Sequence, residues 1–123
     1  MPTVLEDVMF GPKNFGFTDE EAENNALNAL KKVKMENFID KPPHHLSFGQ
    51  KRKVAIASVL ASEPELLVLD EPSSNLDPAS RRELIEILKS LKISLILVTH
   101  DLPMALELCN RLSLIHISEP TRQ

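Results

Sequence analysis

Leu66-Leu67-Val68-Leu69-Asp70-Glu71-Pro72-Ser73-Ser74-Asn75-Leu76-Asp77-Pro78 decides the fold. Four apolar residues run into two adjacent carboxylates, and a Pro with a polar run then breaks regular structure. The apolar run is short for a helix and too uniform for a strand with one wet face. It predicts a strand buried on both faces, as in a parallel sheet. Asp70 and Glu71 then stand at its C-terminal end, where open α/β sheets place ligands. Adjacent carboxylates there suit two tasks: holding a hard cation such as Mg²⁺, or taking a proton from water. The plain alternative is an acidic, solvated turn.

The flanking sequence builds the sheet outward from this stretch. Asp77-Pro78 is an N-cap followed by Pro at the first helical position, opening a helix to about Ser90 that buries Leu84, Ile85 and Leu88. Arg82 and Glu86 form an exposed i,i+4 pair on it. Ser94 to Val98 is a second apolar strand that delivers Thr99-His100-Asp101 at its end. Asp101 caps a helix running to Cys109, and a further strand fits Leu112 to Ile117. Such alternation predicts an α/β fold with a parallel sheet. If the two strands are neighbours, Asp70, Glu71 and His100 share one edge. His100 is then a candidate phosphate or water contact, with a packed core histidine as the alternative.

Upstream, Leu46-Ser47-Phe48-Gly49-Gln50 opens a helix to about Ser62, with Ser47 and Gln50 spaced as a capping box. Gly49 lowers helix propensity but lets a ligand approach bare backbone, and a helix N-terminus can hold an anion. A capped helix with a tolerated Gly explains the same residues. Thr18 and Glu21 form another capping box for a helix to about Lys34 that buries Ala22, Ala26, Ala29, Leu30 and Val33. Phe38 and Ile39 are expected to pack its exit. Residues 1–17 read as loop plus one short element near Leu5 to Phe10. Gly11-Pro12-Lys13-Asn14-Phe15-Gly16-Phe17-Thr18 has the glycine spacing of a phosphate-binding loop. Phe17 stands where the phosphate-contacting Lys belongs, and Pro12 removes a backbone donor, so it reads as a decoy. His44 and His45 are adjacent, and side chains at i and i+1 converge poorly on a metal.

The bulk numbers bound the class. At 123 residues, 42% hydrophobic and 26% charged, the chain fits one domain with a core. A net charge of -4 gives no nucleic-acid footprint. The lone Cys109 excludes an internal disulfide and fits the apolar side of its helix. No apolar run approaches the ~20 residues of a membrane-spanning helix.

Taken together, these motifs resemble one family, the nucleotide-binding subunits of ABC transporters. Leu46 to Gln50 resembles the signature motif, and Leu66 to Glu71 resembles the Walker B strand with its following glutamate. Ser74-Asn75-Leu76-Asp77 resembles the D-loop, and His100 falls at the switch histidine. Met9-Phe10-Gly11-Pro12 with Pro43-His44-His45-Leu46-Ser47 is most similar to the ATPases of energy-coupling-factor importers, which serve cobalt, nickel or vitamins. The resemblance covers residues 1–111 and implies part of a RecA-like P-loop NTPase sheet with part of the helical signature subdomain. On that basis residues 1–62 are the partial helical subdomain and 63–111 the later part of the catalytic core.

The resemblance also implies roles. Asp70 binds Mg²⁺, Glu71 deprotonates the attacking water, and His100 contacts the γ-phosphate. Ser47, Phe48, Gly49 and Gln50 meet ATP held by an opposite subunit, and Asp77 couples the two sites. The implied partners are a second ATP-binding subunit, as homo- or heterodimer, and integral membrane transporter subunits, with no nucleic acid. The implied location is peripheral, on the cytoplasmic face of the cell membrane.

The sequence departs from that pattern. Phe48 replaces the usual first glycine of the signature, and Lys53 stands where arginine is common. Neither a phosphate-binding loop nor the Q-loop glutamine is found; both are expected to precede Met1. Residues 112–123 resemble the translation of a sequencing-library adapter, and the Gly-containing hairpin expected after residue 111 is missing. The chain is therefore expected to be an ATPase fragment, inactive alone. The alternatives are a soluble ABC ATPase without a transport role, and a truncated module that donates its signature motif to a partner's site.

Overall fold

The computed structural model describes residues 2–108, together with the backbone of 112–115. The chain divides into two compact units, residues 1–64 and 65–123.

The first unit is built from three helices: α1 (Val4–Asn14), α2 (Asp19–Lys32) and α3 (Phe48–Leu60). All three open with a capping box: Thr3 with Glu6, Thr18 with Glu21, and Ser47 with Gln50. The α1 helix corrects the expectation of a mostly irregular segment. The Thr3 cap starts it, and the connector after α2 completes the cap: the Val4 and Leu5 N–H groups donate to the carbonyls of Lys41 and Ile39 at 2.8 and 3.1 Å. Pro12 falls in the last turn of α1, so it removes one intrahelical donor near the point where the helix ends.

The two glycines of the decoy loop both have structural tasks. Gly11 sits where a Cβ would stand 3.3 Å from the Ser62 Oγ and 3.5 Å from the Ser58 carbonyl oxygen, so it lets α1 lie close to the end of α3. Gly16, at φ +91°, ends α1 in a left-handed cap. In that cap the Phe17 N–H returns to the Pro12 carbonyl and the Gly16 N–H to the Lys13 carbonyl. No cradle is formed there: the spacing belongs to a helix and its cap.

The α2 helix ends two residues before the expected Lys34. Lys34 takes the left-handed position (φ +62°), and the Met35 N–H closes on the Leu30 carbonyl at 2.8 Å. Ala22, Ala26, Ala29, Leu30 and Val33 are all buried. At the exit it is Met35 that is fully buried, while Phe38 and Ile39 are half-covered. The α3 helix ends at Leu60, two residues short of expectation, and Val59 is exposed despite its apolar neighbours. His44 and His45 are exposed, with their rings edge to face at 4.4 Å. Among the described residues no group of three or more His, Cys, Asp or Glu side chains could hold a metal.

The second unit contains β1 (Leu66–Asp70), α4 (Pro78–Ser90), β2 (Ser94–Val98), α5 (Leu102–Leu108) and β3 (Leu112–Ile115). The strands are parallel in the order β1-β2-β3. Leu67 pairs with Leu95 and Leu69 with Leu97, so these four share one face. Leu67, Leu95 and Leu97 are buried, as are Leu84, Ile85, Ile87 and Leu88 of α4 and Met104, Ala105 and Leu108 of α5.

The opposite face corrects the reading of the opening stretch. Leu66 is 44% exposed and Val68 58%, so β1 is buried on one face only. Among the described residues β1 is an edge strand, and the helices of its unit leave that second face open. Cys109 and the last two residues of the expected strand, His116 and Ile117, lie outside the described residues.

The caps should be measurable. Thr18→Ala is expected to destabilise the chain by about 1 kcal/mol, while Glu21→Gln, which keeps a capping-box acceptor, changes stability far less. Thermal melts by circular dichroism check both.

Candidate functional site

The parallel register places the ends of β1 and β2 side by side, because Asp70 pairs with Val98. The pairing runs one residue further, the Glu71 N–H donating to the Val98 carbonyl at 2.7 Å. Asp70, Glu71 and His100 are thereby brought to one sheet edge. Asp70 is solvent-exposed at the strand end.

Glu71 turns away from strand geometry, with φ +48°, a region a residue with a Cβ seldom adopts. Its carboxylate spans to the loop after β2. Oε1 accepts from the His100 backbone N–H at 2.9 Å and lies 2.6 Å from the His100 Nδ1. Oε2 accepts from the Thr99 hydroxyl at 3.1 Å. An ionised carboxylate only accepts, so this contact requires the proton on Nδ1. Partial burial pushes the Glu71 carboxyl up, but the His100 and Thr99 hydrogen bonds together outweigh it and hold the group below its ordinary value. Glu71 therefore stays ionised at neutral pH.

Asp77 is the N-cap of α4 and accepts from the Ser80 N–H at 3.1 Å, which lowers its carboxyl below the ordinary value. Between Glu71 and Asp77 the chain turns tightly: the Ser74 N–H donates to the Glu71 carbonyl at 3.1 Å, and Asn75 takes φ +65°.

Sequence reasoning read Asp101 as a cap alone, and the structure gives it more. Its N-cap role holds, the Met104 N–H donating to Oδ1 at 3.1 Å. The same carboxylate receives the Arg81 guanidinium in a two-point fork, Nε to Oδ2 at 2.7 Å and Nη2 to Oδ1 at 2.8 Å, and the Ser73 hydroxyl at 2.9 Å. The Arg81 fork, despite partial burial, drives the Asp101 carboxyl far below the usual carboxylate range. Thr99, Arg81 and Ser73 were not singled out from sequence. Their partners lie 20 to 28 residues away, beyond any local pattern.

In the other unit, the expected signature residues gather at the start of α3. The Ser47 hydroxyl accepts from the Gln50 N–H at 3.2 Å, and the Gln50 Oε1 accepts from the Ser47 N–H at 2.9 Å. Phe48 is 52% exposed, with the Arg52 guanidinium 5.3 Å from its ring centre. Gly49 follows it in the first helical turn, where N–H groups have no intrahelical acceptor.

The Asp101 fork sets a pH dependence. Its folded carboxyl is depressed, so its contribution is complete above the unfolded value near 3.9 and is lost as pH falls through the folded one. The stability gap between wild type and Asp101→Asn is expected to be widest near pH 6 and to narrow steadily below about pH 4. Urea melts across that range measure the gap.

Known proteins with related sequences and structures share this arrangement of elements. A family profile described as "AAA domain, putative AbiEii toxin, Type IV TA system" matches residues 13–107. A "Putative ABC transporter ATP-binding protein" of Streptomyces avermitilis is 65% identical over 111 residues, which are 90% of this chain and 42% of that protein. The energy-coupling factor transporter ATP-binding protein EcfA of Methanocaldococcus jannaschii is 52% identical over 103 residues, 81% of this chain and 37% of that one. Among solved structures, cbiO1 of Clostridium perfringens, part of the ABC transporter complex cbiONQ, superposes with a TM-score of 0.80 at 41% identity, covering 92% of this chain and 47% of its own. The ATP-binding cassette MJ0796 bound to ADP and Pi superposes with a TM-score of 0.76 at 29% identity, covering 96% of this chain and 53% of its own. The chain spans less than half the length of the curated relatives it matches. With a partial P-loop NTPase fold, a parallel sheet and these relatives, the chain belongs to the ATP-binding subunits of ABC transporters.

Proposed function

We propose that this chain is a segment of an ATP-hydrolysing subunit that powers an ABC importer for a metal ion or a vitamin. One observation carries the reading: the ionised Glu71 carboxylate, beside Asp70, is held by His100 at the ends of two neighbouring parallel strands. Glu71 is the base that orients and deprotonates the attacking water, and His100 contacts the γ-phosphate. Asp70 suits Mg²⁺: it offers a hard oxygen at an exposed strand end, and Mg²⁺ is commonly held by one or two carboxylates plus substrate phosphates. When bound, Mg²⁺ would neutralise phosphate charge.

Ser47, Phe48, Gly49 and Gln50 present the start of α3 to ATP held by an opposite subunit, and Asp77 links the two sites of the dimer. The dimeric MJ0796 cassette and the cbiONQ complex support partners of both kinds, a second ATP-binding subunit and membrane subunits. The transported class rests on the likeness to EcfA and cbiO1. No helix among the described residues is long and apolar enough to cross a membrane. Attachment at the cytoplasmic face through the membrane partners is part of the same proposal. Residues 1–62 are assigned to the helical subdomain, 63–111 to the catalytic core, and 112–123 to a non-native adapter translation. Among the described residues no phosphate cradle is formed, and the same reading has the 123-residue chain inactive alone.

The test is hydrolysis in two settings. Residues 1–123 alone are expected to show no Mg²⁺-dependent turnover. In the full-length subunit, Glu71→Gln is expected to lower ATP turnover by about 10²- to 10⁴-fold with ATP binding retained. Turnover by the 123-residue chain that Glu71→Gln abolishes would overturn the inactivity. A full-length subunit indifferent to Glu71→Gln would overturn the assignment of the base.

A further inference from the structure

Two carboxylates are exchanged between the same two loops. Glu71, on the loop after β1, accepts from Thr99 and His100 on the loop after β2. Asp101, on that second loop, accepts in turn from Ser73 on the first and from Arg81 on α4. The Thr99 hydroxyl joins the two exchanges, receiving the Asp101 N–H at 2.9 Å while donating to Glu71 at 3.1 Å. The turn bond from the Ser74 N–H to the Glu71 carbonyl closes the circuit on the first loop.

We propose that Asp101 and Arg81 are positioning residues, which fix where Glu71 and His100 stand without touching the substrate. The functional meaning rests on the roles given to Glu71 and His100 above; the positioning itself rests on the hydrogen bonds alone. Two features separate it from ordinary packing. First, α4 and α5 are already joined by a second forked pair, Arg82 with Glu107, which touches neither loop. Arg81 instead reaches the carboxylate on the loop at the start of α5. Second, Asp101 caps α5 with one oxygen, a task Asn performs as well. Only the carboxylate can complete the charged fork with Arg81. The Asp101 side chain is 16% exposed and that of Arg81 31%, so the fork is partly shielded from solvent.

The experiment uses the ¹⁵N-labelled 123-residue chain and reads the His100 backbone amide and ring resonances, with the exchange rate of that amide. Arg81→Gln and Asp101→Asn are each expected to shift the His100 signals and to cost about tenfold in amide protection, the scale of one hydrogen bond to a charged group. Arg81→Lys, which keeps the charge but loses the fork, is expected to shift them in the same direction by less. It covers the case in which Arg81→Gln unfolds. Arg82→Gln is expected to leave His100 as in wild type even where it lowers the melting temperature as much.

Three results overturn the proposal: His100 indifferent to Arg81→Gln and Asp101→Asn, His100 moved equally by Arg82→Gln, or a His100 amide unprotected in wild type. ATP titration of the same samples is scored apart. A lack of nucleotide binding bears on the function of the site and leaves the positioning result standing.

Discussion

The hydrogen bond from the Glu71 amide to the Val98 carbonyl is the constraint on which the site depends. It extends the β1–β2 pairing one residue beyond β1, so the chain cannot swing free at the point where the carboxylate is presented. Because parallel strands end at the same side of a sheet, the residues after each strand must share the space beyond it. Glu71 uses that proximity at once: its side chain crosses to Thr99 and His100. The left-handed backbone at Glu71 is tolerable because the bonds around it specify its position several times over.

Electrostatics at this edge follow from the same crowding. Neither Glu71 nor Asp101 is simply a solvated anion. Each is partly withdrawn from water, which raises its carboxyl, and more than compensated by donors, so both carboxyls lie below their ordinary values. The difference lies in the donor. Glu71 is held by a hydroxyl, an amide and an imidazole, all of which can rearrange, whereas Asp101 is locked by a permanently charged guanidinium. The arrangement pairs an adaptable carboxylate with a fixed one.

Much of this was legible in the sequence because it is local. Capping boxes, the Asp77-Pro78 helix start and the two apolar strands are written within a few residues, and the parallel α/β reading followed from their order. Three things were not legible. The α1 helix was hidden by Gly11 and Pro12, which usually break helices; its Thr3 cap and the carbonyls of the distant 39–41 connector prevailed. The open face of β1 was hidden because an apolar run reports a preference for burial and not whether anything covers it. The Asp101 fork was hidden because Arg81 lies 20 residues earlier, and no short-range pattern links the two. The residues proposed for the site were singled out from sequence, but the ties that orient them came from the fold.

That uncovered face has a bearing on handling. Among the described residues β1 is an edge strand with Leu66 and Val68 outward, and such a strand is a template on which another chain can pair. Its apolar run is bracketed by Glu65 on one side and Asp70-Glu71 on the other. Like charges stacked in register repel, so the exposed Glu65 and Asp70 oppose in-register self-pairing of this strand. The acidic end of β1 thus guards the solubility of the strand that carries it, and neutralising it for chemical reasons also removes a barrier to aggregation.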